Sequence, residues 1–348
     1  MTTPLLQVES LAVTFGRGSL LRRAASNQVR AVEDVSFDID AGSTFGLVGE
    51  TGSGKSTTGR AILRLVNPTA GRITFDGTDI MSFGRHIPAS YRRDVQVVFQ
   101  DVSAALNPSH TVGYLIAEPL RVLKVTKSSL VDSTVEQLLD QVGLASYFRH
   151  RFPAELSGGQ RQRVSIARAL ACRPRLVICD EPVSALDVST QAQVVNLLKS
   201  LQRELGVSYV FIAHDLALVR HIAHQVGVMY RGRLVETGPT ESVYSQPLHP
   251  YTVALLAAAP VADPERQRER RRLRRLSPAA RDENYSLPTV TGGCPYQERC
   301  PLAQAVCREV VPLPRLLPGG RTLACHLVAT IDSAKSSDTN ALEGGRRE

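Results

Sequence analysis

Apolar and polar positions alternate along Val8–Phe15 and Val29–Ile39, the period of two that strands with one buried face require. A basic loop near Gly16–Asn27 joins them, so the pattern predicts an antiparallel edge sheet. Thr44–Val48 is a short apolar run that ends in a glycine-rich loop, and Lys55–Val66 then takes helical periodicity. Arg72–Phe75, closed by the turn pair Asp76–Gly77, reads as another strand, and Val95–Phe99 as a buried one. From Ser109 to about Pro153 the pattern is helical and more polar, which predicts an inserted helical subdomain spanning about residues 101–170. Beyond it come a helix at Gly158–Cys172, a strand at Leu176–Cys179 and a helix at Thr190–Leu205. A strand at Val207–Ala213 and a helix at Leu216–Ala223 follow. Strands alternating with helices predict an α/β core, a mainly parallel sheet covered on both faces. Past Pro260 the order changes to an Arg-rich linker (261–286), a Pro- and Cys-rich module (287–328) and a polar tail (329–348) with no apolar face to bury, expected to be disordered.

Composition adds limits. The 348 residues suggest roughly two domains, the first spanning 1–260, and a 43% apolar fraction supplies a sizeable core. No apolar run approaches the ~18 residues of a membrane span, and no basic-then-apolar leader opens the chain, so a cytosolic protein is expected. The formal charge is +8, of which Glu265–Arg275 carries +5, so a surface that coats nucleic acid is a poor reading. That Arg run is either a solvated linker or helix face, or a contact for anionic lipid or RNA. Four of the six cysteines fall in the last fifth of the chain, which in a cytosolic protein points to a metal or iron–sulfur site more than to disulfides.

The chemistry begins at Gly49, Glu50, Thr51, Gly52, Ser53, Gly54, Lys55 and Ser56, a G-x-x-x-x-G-K-[ST] string between a strand and a helix that Thr57 continues. Its glycines let backbone N–H groups converge on a phosphate at a helix N-terminus. Lys55 would reach the β/γ-phosphates and the Ser56 hydroxyl would hold Mg²⁺. Leu176–Glu181 (LVICDE) places Asp180 and Glu181 at the C-terminal edge of a buried strand, where α/β sheets bind ligands. Asp180 fits the acidic partner of Ser56 toward Mg²⁺. Glu181 fits a base or positioner for attacking water, or else a cap on the following turn. Leu156–Gln160 (LSGGQ) makes Ser157 an N-cap, with Gly158 and Gly159 uncovering the amides of a helix that Gln160 continues.

With these three strings in this order, the sequence resembles the nucleotide-binding subunit of an ATP-binding-cassette transporter over roughly Leu5–Pro260. The resemblance implies a P-loop NTPase fold, ATP and Mg²⁺ as ligands, and ATPase activity. It implies further roles for residues at matching places: Gln100 links Mg²⁺ and water to the helical subdomain, and Ser184–Asp187 crosses a dimer interface. His214 is the switch that contacts the γ-phosphate, unless it is merely structural at its strand end. Phe15 is the aromatic stacked on adenine, or alternatively a core residue ending a strand. In such proteins two cassettes associate head to tail, so Ser157, Gly158, Gly159, Gln160 and Asp187 would act on the partner's nucleotide.

Val98–Pro108, Asp180–Ser189, Ala213–Ala217 and Pro247–Thr252 are similar to the peptide-importer branch, closest to the F-type ATPase subunit of oligopeptide/dipeptide permeases. That implies a second ATPase subunit, two transmembrane permease subunits and an extracytoplasmic solute-binding protein as partners, with the chain on the cytoplasmic face of the membrane. Relatives in the branch import peptides, glutathione or nickel complexes. A soluble cassette ATPase acting on nucleic acid is the competing class, with the Arg run as its only support. The spacing Cys294-x5-Cys300-x6-Cys307-x17-Cys325 does not fit the short Cys pairs of ordinary zinc sites, and four thiolates are the usual ligands of a [4Fe–4S] cluster. The branch is known to carry such a cluster in some members. A structural zinc, spectator thiols, and His326 as fourth ligand are the alternatives. Because the catalytic motifs all lie before Ala217, losing the cysteines is expected to spare isolated ATPase activity.

Overall fold

The computed structural model describes residues 3–16, 29–258 and 292–327. The expected Arg-rich linker, the polar tail and most of the basic loop after β1 lie outside these residues. Among the described residues, twelve strands form two sheets. The smaller, antiparallel sheet has the order β2-β1-β4-β5, from β1 (Leu6–Phe15), β2 (Val29–Ile39), β4 (Ala70–Phe75) and β5 (Thr78–Asp79). The larger has the order β11-β12-β10-β9-β3-β8-β7-β6. Its strands are β3 (Thr44–Val48), β6 (Val95–Val98), β7 (Leu176–Asp180), β8 (Ser208–Ala213), β9 (Gln225–Tyr230), β10 (Arg233–Pro239), β11 (Arg315–Leu317) and β12 (Arg321–Leu323).

Strands β9, β3, β8, β7 and β6 run parallel, and every residue of β3, β7 and β8 is buried. The pleat sorts their side chains into two cores. Phe45, Leu47, Ile178, Val210 and Ile212 join the antiparallel sheet and the helix Lys55–Ile62 in one. Val48, Val177, Cys179, Phe211 and Ala213 join the helices Gly158–Leu170, Val188–Leu205 and Leu216–Ile222 in the other. This is why the strands read as unbroken apolar runs rather than alternations. Cys172 and Cys179 are buried core thiols, and burial pushes Cys172 up to about 11.

The elements follow the pattern closely, with a few shifted ends. The helix after the glycine loop stops at Ile62 rather than Val66, because Arg64 turns to φ 58°. The next long helix ends at Leu170, ahead of Arg173 at φ 52°. Between residues 102 and 155 short helices surround Val112–Val122 and Val131–Gln141, the inserted helical subdomain. The hairpin β9–β10 has no counterpart in the sequence expectations. Nor does the joining of β12 to it, with Leu323 opposite Glu236 and Thr322 opposite Thr237. The buried Arg321 guanidinium donates to the Glu236 carboxylate, which also accepts N–H bonds from Leu248 and His249. The Cys-bearing segment is thus stitched into the main sheet by its strands and by an ion pair.

Candidate active site

The loop from Gly49 to Gly54 leaves the C-terminal end of β3 at the centre of the parallel sheet and enters the helix Lys55–Ile62. Gly54 stands at φ 103°, and a Cβ there would lie 2.3 Å from the Ala31 carbonyl, so only glycine lets the loop pass under β2. The first-turn amides of a helix have no intrahelical acceptor, which leaves those around Lys55, Ser56 and Thr57 for an anion. Lys55 is 4% exposed; its Nζ donates to the carbonyls of Gly49 at 2.8 Å and Glu50 at 2.9 Å. Burial lowers its ammonium below the ordinary lysine value, against the attraction of Glu181, Asp180 and Glu50.

Two carboxylates face this loop from the end of β7. Asp180 Oδ1 accepts from the Ser56 hydroxyl at 2.7 Å, bringing together two hard oxygens of the kind Mg²⁺ prefers. Glu181 adopts φ 47°, a left-handed turn that swings its side chain away from the strand axis. Its Oε2 accepts from Gln100 Nε2 at 2.8 Å and lies 3.6 Å from His214 Nδ1. Gln100 follows β6 and His214 follows β8, so residues far apart in sequence meet because their strands flank β7.

Ser157 caps its helix reciprocally with Gln160: each backbone N–H donates to the other's side chain, at 3.3 and 2.9 Å. A Cβ on Gly159 would come within 2.6 Å of Thr190 Cγ2, so the glycine also lets the two helix starts pack closely. Asp187 caps the helix Val188–Leu205, and bonds from Ser189 and Thr190 hold its carboxyl far below the usual carboxylate range. These residues are gathered with one another, Gly158 facing Leu186 and Gly159 facing Thr190. Phe15, 43% exposed, ends β1 opposite Val29.

Sequence reasoning missed two residues at the loop. The Tyr251 hydroxyl accepts from the Glu50 N–H at 3.0 Å, and Arg299 Nη1 reaches the Glu50 carboxylate at 2.9 Å. Pro247–Thr252 served only as a string shared with a branch, and no spacing rule links residue 299 to residue 50. The four C-terminal cysteines are free thiols; Cys294, Cys307 and Cys325 are buried and Cys300 half-buried. Burial pushes Cys294 up to about 11, with the nearby Cys307, Cys325 and Cys300 adding to the rise. Cys294 N–H donates to the Cys307 carbonyl at 2.7 Å, and His326 Nε2 lies 2.8 Å from the Val310 carbonyl. Among the described residues, no three His, Cys, Asp or Glu side chains form a metal-holding group.

Comparison with known proteins agrees with this geometry. Residues 32–184 match the ABC transporter family, and residues 235–307 match the oligopeptide/dipeptide transporter C-terminal region. A probable peptide ABC transporter ATP-binding protein of Sinorhizobium fredii is 45% identical over 97% of this chain and 94% of its own length. A putative oligopeptide transport ATP-binding protein of Bacillus subtilis is 44% identical, over 93% and 95%. A Salmonella glutathione import ATP-binding protein is 52% identical over 77% of the chain, covering 43% of that longer protein. Among solved structures, cbiO1 of Clostridium perfringens, part of an ABC transporter complex, superposes with a TM-score of 0.61 at 26% identity, over 70% of this chain and 92% of that one. A dimeric ATP-binding cassette bound to ADP and Pi gives 0.58 at 27% identity, over 68% and 98%. The chain belongs to the ABC transporter family, as one of its ATP-binding, ATP-hydrolysing proteins. Within that family it carries the C-terminal region of the oligopeptide/dipeptide transporters.

Proposed function

We propose that this chain is the ATPase subunit of an importer for oligopeptides, dipeptides or related small solutes such as glutathione. The observation that carries the assignment of roles is the convergence of Gln100 and His214 on Glu181, beside the Ser56–Asp180 pair. Residues 49–57 cradle the ATP phosphates, with Lys55 leaving its loop carbonyls for the β/γ-phosphate oxygens. Ser56, Asp180 and Gln100 would hold Mg²⁺, which would supply charge neutralisation at the phosphate oxygens. Glu181 takes the proton of the attacking water, Gln100 orients that water and His214 holds the γ-phosphate. Phe15 stacks on adenine. Ser157, Gly158, Gly159, Gln160 and Asp187 serve the nucleotide of a partner cassette.

The proposed assembly pairs the chain with a second ATPase subunit on two permease subunits, fed by an extracytoplasmic binding protein, and has no direct nucleic-acid partner. Among the described residues no helix is long and apolar enough to cross a membrane, so attachment to the cytoplasmic face runs through the permeases. Residues 1–260 act as the nucleotide-binding domain and 287–328 as a Cys-bearing module. Cys294, Cys300, Cys307 and Cys325 hold a [4Fe–4S] cluster. What supports this reading is the sequence spacing Cys294-x5-Cys300-x6-Cys307-x17-Cys325, which does not fit the short Cys pairs of ordinary zinc sites. The test is twofold. Liposomes carrying the cognate permeases should stimulate ATP hydrolysis where RNA and DNA do not. Glu181→Gln should bind ATP yet lose ~10²–10⁴-fold in turnover; turnover within threefold of wild type refutes the assigned base.

A further inference from the structure

Glu50 is gripped from outside the phosphate loop at its backbone N–H and at its carboxylate. Its N–H donates to the Tyr251 hydroxyl at 3.0 Å, and its carboxylate oxygens accept from Arg299 Nη1 at 3.1 and 2.9 Å. Its carbonyl accepts from Lys55 Nζ at 2.9 Å. One residue therefore joins the lysine of the loop to two side chains from far along the chain.

The grip is itself braced. Tyr296, 2% exposed, stands edge-on to Tyr230 with centroids 5.2 Å apart and tilted against Tyr251 at 5.4 Å. The Arg299 guanidinium lies 6.0 Å from the Tyr296 ring centre. Arg231 reaches the same segment from the β9–β10 turn, 3.4 Å from the Pro295 carbonyl and 3.8 Å from Glu298. Tyr296 and Arg299 both lie between Cys294 and Cys300, so this short stretch is packed onto the loop through an aromatic cluster rather than laid over it.

We infer that Arg299, with Tyr296 and Tyr251 behind it, is a positioning element for the nucleotide: it fixes Glu50, and through Glu50 the backbone of the phosphate loop, without touching ATP. The inference deepens the ATPase reading and rests on it. A loop with three glycines in six residues loses much conformational freedom on closing around a ligand, and that cost is subtracted from affinity unless the loop is already ordered. Tyr251 and Arg299 do that ordering in advance. Their absence should therefore weaken binding and leave the proton-transfer geometry at Glu181 alone. It also follows that the C-terminal segment sets how much ATP the isolated ATPase needs, while its maximal rate survives.

The pair is half-exposed, with side chains 39% and 44% accessible, so its removal alone is worth up to about fivefold, and reversing its charge up to about tenfold. The experiment measures the MgATP dissociation constant, KM, kcat and melting temperature on the full chain. Arg299→Glu should raise Kd and KM by about five- to tenfold, with kcat within twofold and melting unchanged. One nitrogen makes both contacts, so Arg299→Lys should retain wild-type affinity. Should Arg299→Glu fold poorly, Tyr251→Phe and Arg299→Gln carry the same expectation. Wild-type Kd in these variants overturns the inference, as does a fall in kcat at constant KM. Lys55→Ala separates the two levels: if it binds MgATP as wild type does, the phosphate loop is not the site and the ATPase reading fails, whatever Arg299 does.

Discussion

At the scale of single residues, the conformation of Glu181 opposes stability to chemistry. A non-glycine residue in the left-handed region costs roughly 1–2 kcal/mol, and here the turn at φ 47° is what brings the carboxylate to Gln100 and His214. Glu181→Gly should therefore stabilise the chain by about 1 kcal/mol in denaturant titrations while abolishing turnover, whereas Glu181→Gln abolishes turnover without that gain. Lys55→Ala should act differently, weakening nucleotide binding itself in equilibrium titrations because it removes the charge facing the phosphates. His249 sets a pH dependence. It is 1% exposed, its Nδ1 accepts the Tyr251 N–H at 3.0 Å, and burial lowers its imidazole from 6.5 to about 4. A buried base with a lowered value favours the folded state only while neutral, so this contribution is complete above pH 6.5. It is lost as the pH falls toward 4, by about 3 kcal/mol in all. His249→Gln should flatten the stability profile over that window; an unchanged slope would show that the imidazole is not what titrates.

At the scale of elements, the sequence is most legible where burial is two-sided. The runs Thr44–Val48, Leu176–Asp180 and Ser208–Ala213 are apolar because both faces are covered, and each emerges as a fully buried strand. The strings at their C-terminal ends were legible for the same reason, since a glycine loop or a carboxylate pair after a buried strand has few other uses. What the pattern could not supply is contact across sequence. Strand β12 has three residues, too short for any periodicity, and pairs with β10 through an ion pair that only the fold creates. Glu236 and Arg321 read as ordinary surface charges in the sequence, yet they are 1% and 7% exposed. Arg321→Met should cost about 3–5 kcal/mol, because it leaves Glu236 charged and buried without its partner. Glu236→Gln added to it should recover part of that loss, and chemical denaturation of both variants measures the difference.

At the scale of the whole molecule, the Cys-bearing segment is continuous with the nucleotide-binding fold. It supplies two strands of the eight-stranded sheet, a tyrosine to the cluster behind the phosphate loop, and an arginine to the loop itself. Metal content and nucleotide affinity should therefore be measured together. Anaerobically purified protein should be brown, with about four iron and four sulfide per chain. Cys294→Ser should lose that iron, whereas Cys172→Ser should keep it, its thiol being buried just beyond the helix Gly158–Leu170. Colourless protein with one zinc per chain would instead assign the thiols to a structural ion.

The sheet's outer edge also sets an order of events during synthesis. Glu236 on β10 and Arg321 on β12 are separated by 85 positions. At a translation rate of ~5–20 residues per second, β10 leaves the ribosome roughly 4–17 s before the strand that covers it. Through that interval a nascent chain presents an open β-edge and a carboxylate whose counter-charge has not yet been made, the combination that recruits chaperones or neighbouring chains. A chain ended at residue 258 would hold that exposed state permanently and should precipitate, even though it contains every nucleotide motif.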